Sequence, residues 1–233
     1  MNPTLDLSIV IPARHEADNL ALLLPEVRQV LSELGASYEI LICDELADEH
    51  TRQVVQNNQV TLLHPEVHGY GSALQTGFAH AQGAYVISMD ADLSHPAQFL
   101  SSLWHSRTSA DVIIASRYVK GGRAVMPAGR FLLSRILNSF FSWGLALPVH
   151  DMSSGYRMYR AAFIKNRRCQ SRNFNALQEL LVAAVVEGYS IHEIPFTYQP
   201  RVHGASHARI IRFGMNYLQT FYRLRKIRFA ARK

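Results

Sequence analysis

Five short, largely apolar runs, the first four each followed by a stretch with helical spacing, set the architecture open to this 233-residue chain. They are Leu7-Ser8-Ile9-Val10-Ile11, Tyr38 to Cys43, Val60 to Leu63, Ala84 to Met89 and Asp111 to Ser116. Runs this short and rich in β-branched residues read as strands buried on both faces. Strands that alternate with helices at this pace build an α/β fold: a Rossmann-like, doubly wound, mostly parallel sheet with helices on both faces. Between the first two runs, Leu20, Leu23, Leu24, Val27, Val30, Leu31 and Leu34 form one apolar helical stripe. Asp18 or Asn19 could cap that helix, and Gly35 ends it. Further helices are expected at about 49–56, 72–81 and 96–107, the last with Pro96 as its first residue.

After Ser116 the alternation breaks. Arg130 to Leu147 is amphipathic and rich in Phe, Leu and Trp. Ser153-Ser154-Gly155 is a turn, a helix spans about 176–187, and Ile191 to Tyr198 is strand-like. From about Ser206 to the end the chain reads as a long, basic, amphipathic helix.

Ligands of open α/β sheets bind outside the carboxyl ends of the strands. Here those ends are polar. Arg14-His15-Glu16 follow the first strand and Pro12, Asp44-Glu45 the second, Asp90-Ala91-Asp92 the fourth, and Ser116-Arg117 the fifth. An N-capping aspartate beside a solvated one would also write Asp90-Ala91-Asp92. Four such edges together, mixing carboxylates with arginines, point instead to a site for a hard divalent cation and phosphate oxygens. Gly69-Tyr70-Gly71 is not a dinucleotide fingerprint, because Leu74 stands where the third glycine belongs. It reads as a tight turn at a helix start.

Two cysteines far apart, Cys43 and Cys169, give neither a disulfide framework nor a metal motif, so a reducing, cytoplasmic setting is expected. Met1 to Asp6 has no basic leader pattern, and Ile136 to Val149 is too short to span a bilayer. The net charge of +6 is unevenly placed. Beyond Glu193 there are nine Lys and Arg and no carboxylate, so the first 193 residues sum to −3. A basic end on a mildly acidic body suggests an anionic membrane surface. Nucleic acid is a weaker alternative, since Phe213, Tyr217, Phe221 and Tyr222 fall at helical spacing and read as packing residues.

The motifs, in order, resemble a known family. Ile9-Val10-Ile11-Pro12-x-x-x-Glu16-x-x-Asn19 is similar to the opening of inverting family-two glycosyltransferases of the GT-A fold. Met89-Asp90-Ala91-Asp92-Leu93-x-His95-Pro96 resembles the motif of dolichol-phosphate mannosyltransferases. Further matches are Ser116-Arg117-Tyr118, Arg130-x-x-x-Ser134-x-x-x-Asn138, Asp151-x-x-Ser154-Gly155-Tyr156-Arg157 and Arg201-x-x-Gly204-x-Ser206. The resemblance implies a nucleoside-diphosphate sugar donor, Mg2+ or Mn2+, and a polyprenyl phosphate acceptor at the cytoplasmic face of a membrane. Pro12, Arg14, Glu16, Asp44 and Glu45 would line the nucleoside pocket. Asp90, Ala91 and Asp92 would meet ribose, metal and diphosphate, with Ser94 where a metal-ligating glutamine is frequent. Arg117, Arg130 and Ser134 would hold the acceptor phosphate; Arg201 and His207 would lie near the donor diphosphate. One domain is expected over 1–233: a donor half to about 116, an acceptor half over 117–205, and a membrane-facing basic helix over 206–233.

The chain departs from the family at Arg14, Glu45, Leu46-Ala47, Ser94 and His207, mostly in the donor half. The donor is therefore expected to differ from the family's usual guanosine compound, or to bind more weakly. A soluble acceptor and a non-catalytic sugar-nucleotide binder are the alternatives. A lipid phosphate is anionic at neutral pH and needs no general base, so alignment and charge neutralisation suffice for an inverting displacement.

Overall fold

A computed structural model describes residues 4–165, 167–199 and 210–230, without the side chains of 210–217. In chain order the elements are β1 (Leu5–Pro12), α1 (Ala17–Glu33), β2 (Tyr38–Cys43), α2 (Glu49–Asn57), β3 (Thr61–Leu63), α3 (Tyr70–His80), β4 (Gly83–Ser88), α4 (Phe99–His105) and β5 (Val112–Ser116). There follow β6 (Arg123–Ala124), α5 (Ala128–Gly144), β7 (Arg157–Arg160), α6 (Ala161–Ile164), α7 (Ala176–Val186), β8 (Ile191–Pro195), β9 (Thr197–Tyr198) and α8 (Ile210–Ala230).

Seven strands form one sheet in the order β3-β2-β1-β4-β7-β5-β8. Every pairing is parallel except those of β7, which runs antiparallel between β4 and β5. A two-stranded parallel ribbon, β6 with β9, lies beside it. The pleat sorts each strand's residues by parity. Leu7, Ile9 and Ile11 of β1 join Ile40, Ile42, Ile87 and Ile113 against α1, α2 and α4. Val10 joins Leu41, Cys43, Val86 and Ile114 against α3, α5, α7 and α8. Both faces of the sheet are thus covered, which is why its strands read as continuous apolar runs.

Several sequence expectations move. The first helix starts at Ala17 after Glu16 and has no side-chain cap. Asn19, expected as a cap, is instead buried and donates to Glu16 Oε2 at 2.5 Å. The helix expected from Pro96 starts at Phe99, because Pro96 lies in a turn whose carbonyl accepts from Phe99 N–H and the Tyr156 hydroxyl. Helix α3 starts at Tyr70, not Ser72, since the Arg172 carbonyl receives the N–H groups of Gly71 and Ser72. A β-carbon on Gly69 would lie 2.3 Å from that carbonyl oxygen, so the glycine pair serves a close backbone approach.

Candidate active site

Strands β1, β2 and β4 are parallel neighbours, and β5 runs in the same sense across β7, so their carboxyl ends share one edge. After β1, Pro12 is half-buried, Arg14 is exposed, and His15 turns the chain with a φ of 55°. Glu16 is half-buried. After β2, Asp44 is fully buried; its Oδ1 accepts from Leu46 N–H at 2.8 Å. Its Oδ2 has no partner among the described residues, and burial raises its pKa. Glu45 takes His68 Nδ1 at 2.8 Å on Oε1, while its Oε2 is a second buried acceptor without a donor among the described residues. Buried acceptors normally have partners, so two orphaned carboxylate oxygens in sequence mark a place for a ligand's N–H or O–H groups.

After β4 come the two acidic residues. Asp90 is half-buried, and its Oδ1 accepts from the Tyr70 hydroxyl at 3.1 Å. Its own N–H donates to His95 Nδ1 at 2.8 Å, which leaves the His95 proton on Nε2, 3.7 Å from Asp90 Oδ2. Burial lowers the His95 pKa against the pull of both aspartates, so the ring is neutral there. Ala91 is buried. Asp92 Oδ1 accepts the N–H of Ser94 at 3.1 Å and its hydroxyl at 2.5 Å. Ser94 is fully buried behind that carboxylate and orients it. Leu93 between them has a φ of 63°, a costly conformation for a residue with a β-carbon, and it turns the loop between Asp92 and Ser94.

The donor set suits one kind of metal. Among the described residues no group of three or more His, Cys, Asp and Glu could by itself hold an ion. Two carboxylates at a ligand-binding edge fit Mg2+ or Mn2+, which bind through one or two carboxylates and fill their remaining positions from water and substrate phosphates.

After β5 the chemistry changes. Arg117 Nε and Nη2 grip Asp151 at 2.7 Å each, its backbone N–H donates to the same carboxylate at 3.0 Å, and Nη2 also reaches Ser153 Oγ. Burial opposes charge on Asp151, yet the Arg117 charge and hydrogen bonds outweigh it and hold the carboxyl below its usual range. Asn138 Nδ2 donates to Ser153 Oγ and to the Ser134 carbonyl; the Tyr118 hydroxyl donates to Ser134 Oγ at 2.7 Å. This network ties the start of α5 to the site edge. Arg130 stands exposed at that start. Beyond it Leu132, Leu133, Ile136, Leu137, Phe140 and Trp143 are 46 to 79% exposed.

The structure therefore brings Pro12, Glu16, Asp44, Glu45, Asp90, Ala91, Asp92 and Ser94 to one edge, and Arg117, Arg130 and Ser134 to the adjoining lobe. Arg201 and His207 lie outside the described residues. Tyr70, His95 and Asp151 are partners of site residues that spacing alone does not assign; His95 and Asp151 lie in motifs that hint at a role, and Tyr70 does not.

The Glycosyl transferase family 2 model matches residues 8–168. The dolichol-phosphate mannosyltransferase of Pyrococcus furiosus is 29% identical over 233 residues, which cover 94% of this chain and 64% of that protein. The chain thus spans less than two thirds of that relative. The polyprenol monophosphomannose synthase of Mycolicibacterium smegmatis is 29% identical over 88% of this chain and 82% of its own length. Glucosyl-3-phosphoglycerate synthase from Mycobacterium tuberculosis, solved with Mg2+ and uridine diphosphate, superposes with a TM-score of 0.73 at 13% identity over 95% of this chain and 79% of that one. The same enzyme with Mn2+, uridine diphosphate and glucosyl-3-phosphoglycerate gives a TM-score of 0.68 at 13% identity, over 98% and 80% of the two chains. With the sheet, the acidic edge and the family match agreeing, the chain belongs to glycosyl transferase family 2 and has the GT-A fold.

Proposed function

We propose that this enzyme moves a hexose, mannose by analogy with the two relatives' names, from a nucleoside-diphosphate sugar to a polyprenyl phosphate, inverting the anomeric centre. The observation that carries the reading is the tethering of an exposed apolar helix, α5, to the Arg117–Asp151 lobe that adjoins the edge bearing Asp90 and Asp92. A soluble acceptor would need no such face. The acceptor phosphate oxygen attacks the anomeric carbon, the carbon–oxygen bond to the diphosphate breaks, and the nucleoside diphosphate leaves with that electron pair. A Mg2+ or Mn2+ ion on Asp90 and Asp92 would supply charge neutralisation to the leaving diphosphate. Pro12, Arg14, Glu16, Asp44 and Glu45 receive the nucleoside, with the two orphaned carboxylate oxygens taking its donors. Arg130, Ser134 Oγ–H and the Arg117 Nη1 not engaged by Asp151 face the acceptor phosphate; Arg201 and His207 serve the donor diphosphate.

Membrane contact rests more on α5 than on tail charge. Arg223 pairs with Glu179, Arg225 Nη1 donates to the Gly144 carbonyl at 2.6 Å, and Arg228 is buried beside the Ala146 carbonyl. Those three cations of α8 hold the helix to its neighbours, whereas the exposed leucines, Phe140 and Trp143 offer an interfacial face. Among the described residues no helix is long and apolar enough to cross a bilayer.

The test is purified protein, a panel of nucleoside-diphosphate sugars, and either polyprenyl phosphate or soluble acceptors, with and without chelator. Chelator-sensitive transfer to the lipid, giving a β-linked product from an α-linked donor, is expected. Preferred transfer to a soluble acceptor would sink the acceptor assignment, and metal-dependent binding with no turnover would favour the binder. In parallel, replacing Phe140 and Trp143 by Ser should lower partition onto vesicles roughly tenfold or more, since burying one large apolar side chain contributes ~1.5–3 kcal/mol.

A further inference from the structure

Tyr70 has no part in the reading above, yet its hydroxyl reaches the acidic pair. It donates to Asp90 Oδ1 at 3.1 Å, while His95 Nε2 stands 3.7 Å from Oδ2 on the other side. The contact depends on Gly155. A β-carbon there would fall 2.4 Å from the Tyr70 hydroxyl and 3.1 Å from Asp90 Oδ1. The ring is fixed from behind by Phe174, stacked at 4.2 Å between centroids with 17° between planes. The segment that carries Phe174 is itself anchored. Its Arg172 carbonyl receives Gly71 N–H at 2.7 Å, and Glu179 takes the N–H groups of Gln170 and Ser171 at 2.7 and 2.9 Å. A phenol so placed adds a donor at one carboxylate oxygen and no charge.

We propose that Tyr70 is a positioning residue for Asp90: its hydroxyl fixes the carboxylate in the orientation that receives cation and diphosphate before either arrives. This rests on the assignment of Asp90 to the donor side. A carboxylate on a loop loses rotational freedom when it takes a ligand, and a side chain fixed beforehand loses less. With Oδ1 satisfied by Tyr70, the cation meets a single defined oxygen edge.

The experiment uses the full chain, Mn2+ as the metal, and guanosine and uridine diphosphates as probes. Calorimetry gives the Mn2+ dependence of diphosphate binding, turnover is followed against Mn2+, and thermal melting reports the fold. Tyr70→Phe keeps the ring stack and removes the hydroxyl. It should raise the half-saturating Mn2+ concentration about tenfold, the size expected for one hydrogen bond to a charged group. At saturating Mn2+, kcat should stay within about twofold and melting should not move, because only the ordering of Asp90 has changed. Gly155→Ala, which pushes a β-carbon into the hydroxyl, should shift the metal requirement the same way. In an Asp90→Asn background, Tyr70→Phe should have no further effect.

An unchanged or lowered metal requirement in Tyr70→Phe overturns the proposal, the latter showing that the hydroxyl competes with the cation. An undiminished effect in the Asp90→Asn background overturns it too, because Tyr70 would then act elsewhere. If Asp90→Asn itself binds diphosphate and turns over like the parent, the donor-side assignment falls and the proposal with it. An impaired Asp90→Asn beside a silent Tyr70→Phe removes only the role of Tyr70.

Discussion

At the end of β2, Asp44 Oδ2 and Glu45 Oε2 are buried without a donor among the described residues; at the end of β5, Asp151 accepts five hydrogen bonds, from Arg117, Ser153 and Ser154. Both places are carboxylates at the same sheet edge. The first is a set of acceptors waiting for a partner, and the second is a closed circuit that extends through Asn138 to α5. Buried polar groups left open cost stability, and groups fully satisfied rigidify their surroundings. The open edge is therefore the one that a ligand could complete, as the proposed donor site requires. The Arg117–Asp151 lobe is built to hold α5 still.

The comparison breaks first at Asp92. Asp92→Asn should reduce turnover on the order of a thousandfold, the scale of losing a charged group that stabilises a leaving diphosphate, while melting stays near the parent value. Near-normal turnover would show that the acidic pair is not the site. Asp151→Ala attacks the closed circuit. It strands the Arg117 guanidinium, whose side chain is only 12% exposed, and should cost about 3–5 kcal/mol in denaturant unfolding. A change below ~1 kcal/mol would mean that the pair behaves as a surface ion pair.

The smallest effect gives the sharpest contrast, because the two carboxylates have opposite pH signs. Asp151 has a lowered folded pKa, so its stabilisation is complete above the usual carboxylate range and is lost as pH falls through that lowered value. Asp44 has a raised folded pKa, so its favourable contribution is present below the usual value and is lost as pH rises through the raised one. Asp44→Asn should accordingly melt higher than the parent at neutral pH, with the gap closing as pH falls. Melting curves for the parent, Asp44→Asn and Asp151→Asn across pH 3.5 to 8 measure this. Parallel profiles for the parent and Asp44→Asn would remove the unsatisfied-acceptor account of the donor edge.

The sequence made β1, β2, β4 and β5 legible because strands covered on both faces are uniformly apolar, and it made the acidic edge legible because carboxylates interrupt those runs. It hid β7. Arg157-Met158-Tyr159-Arg160 carries an arginine at each end, yet Arg157 is fully buried and donates to the Leu177 and Met152 carbonyls. The Tyr70–Asp90 contact was invisible because it joins the first residue of α3 to the loop after β4 through the fold, with nothing in local spacing to signal it. Likewise nine cations read as a surface charge, whereas Arg223, Arg225 and Arg228 work inward on neighbouring helices. Charge is countable in a sequence; its direction is not.

The place of β7 has a bearing on how the chain can be assembled and cut. The strand comes from residues 157–160 yet fills the slot between β4 and β5, so the chain up to residue 116 taken alone has a gap in the middle of its sheet. Until synthesis has passed residue 160, β4 presents a bare row of amide groups, the kind of edge at which nascent chains stick to one another. Closing that seam requires residues some seventy positions apart to meet, a slow search that local helices cannot shorten. A fragment ending at residue 116 should therefore be prone to self-association, and exchanging the segment after residue 116 between relatives requires moving a central strand of the sheet as well as the lobe around it.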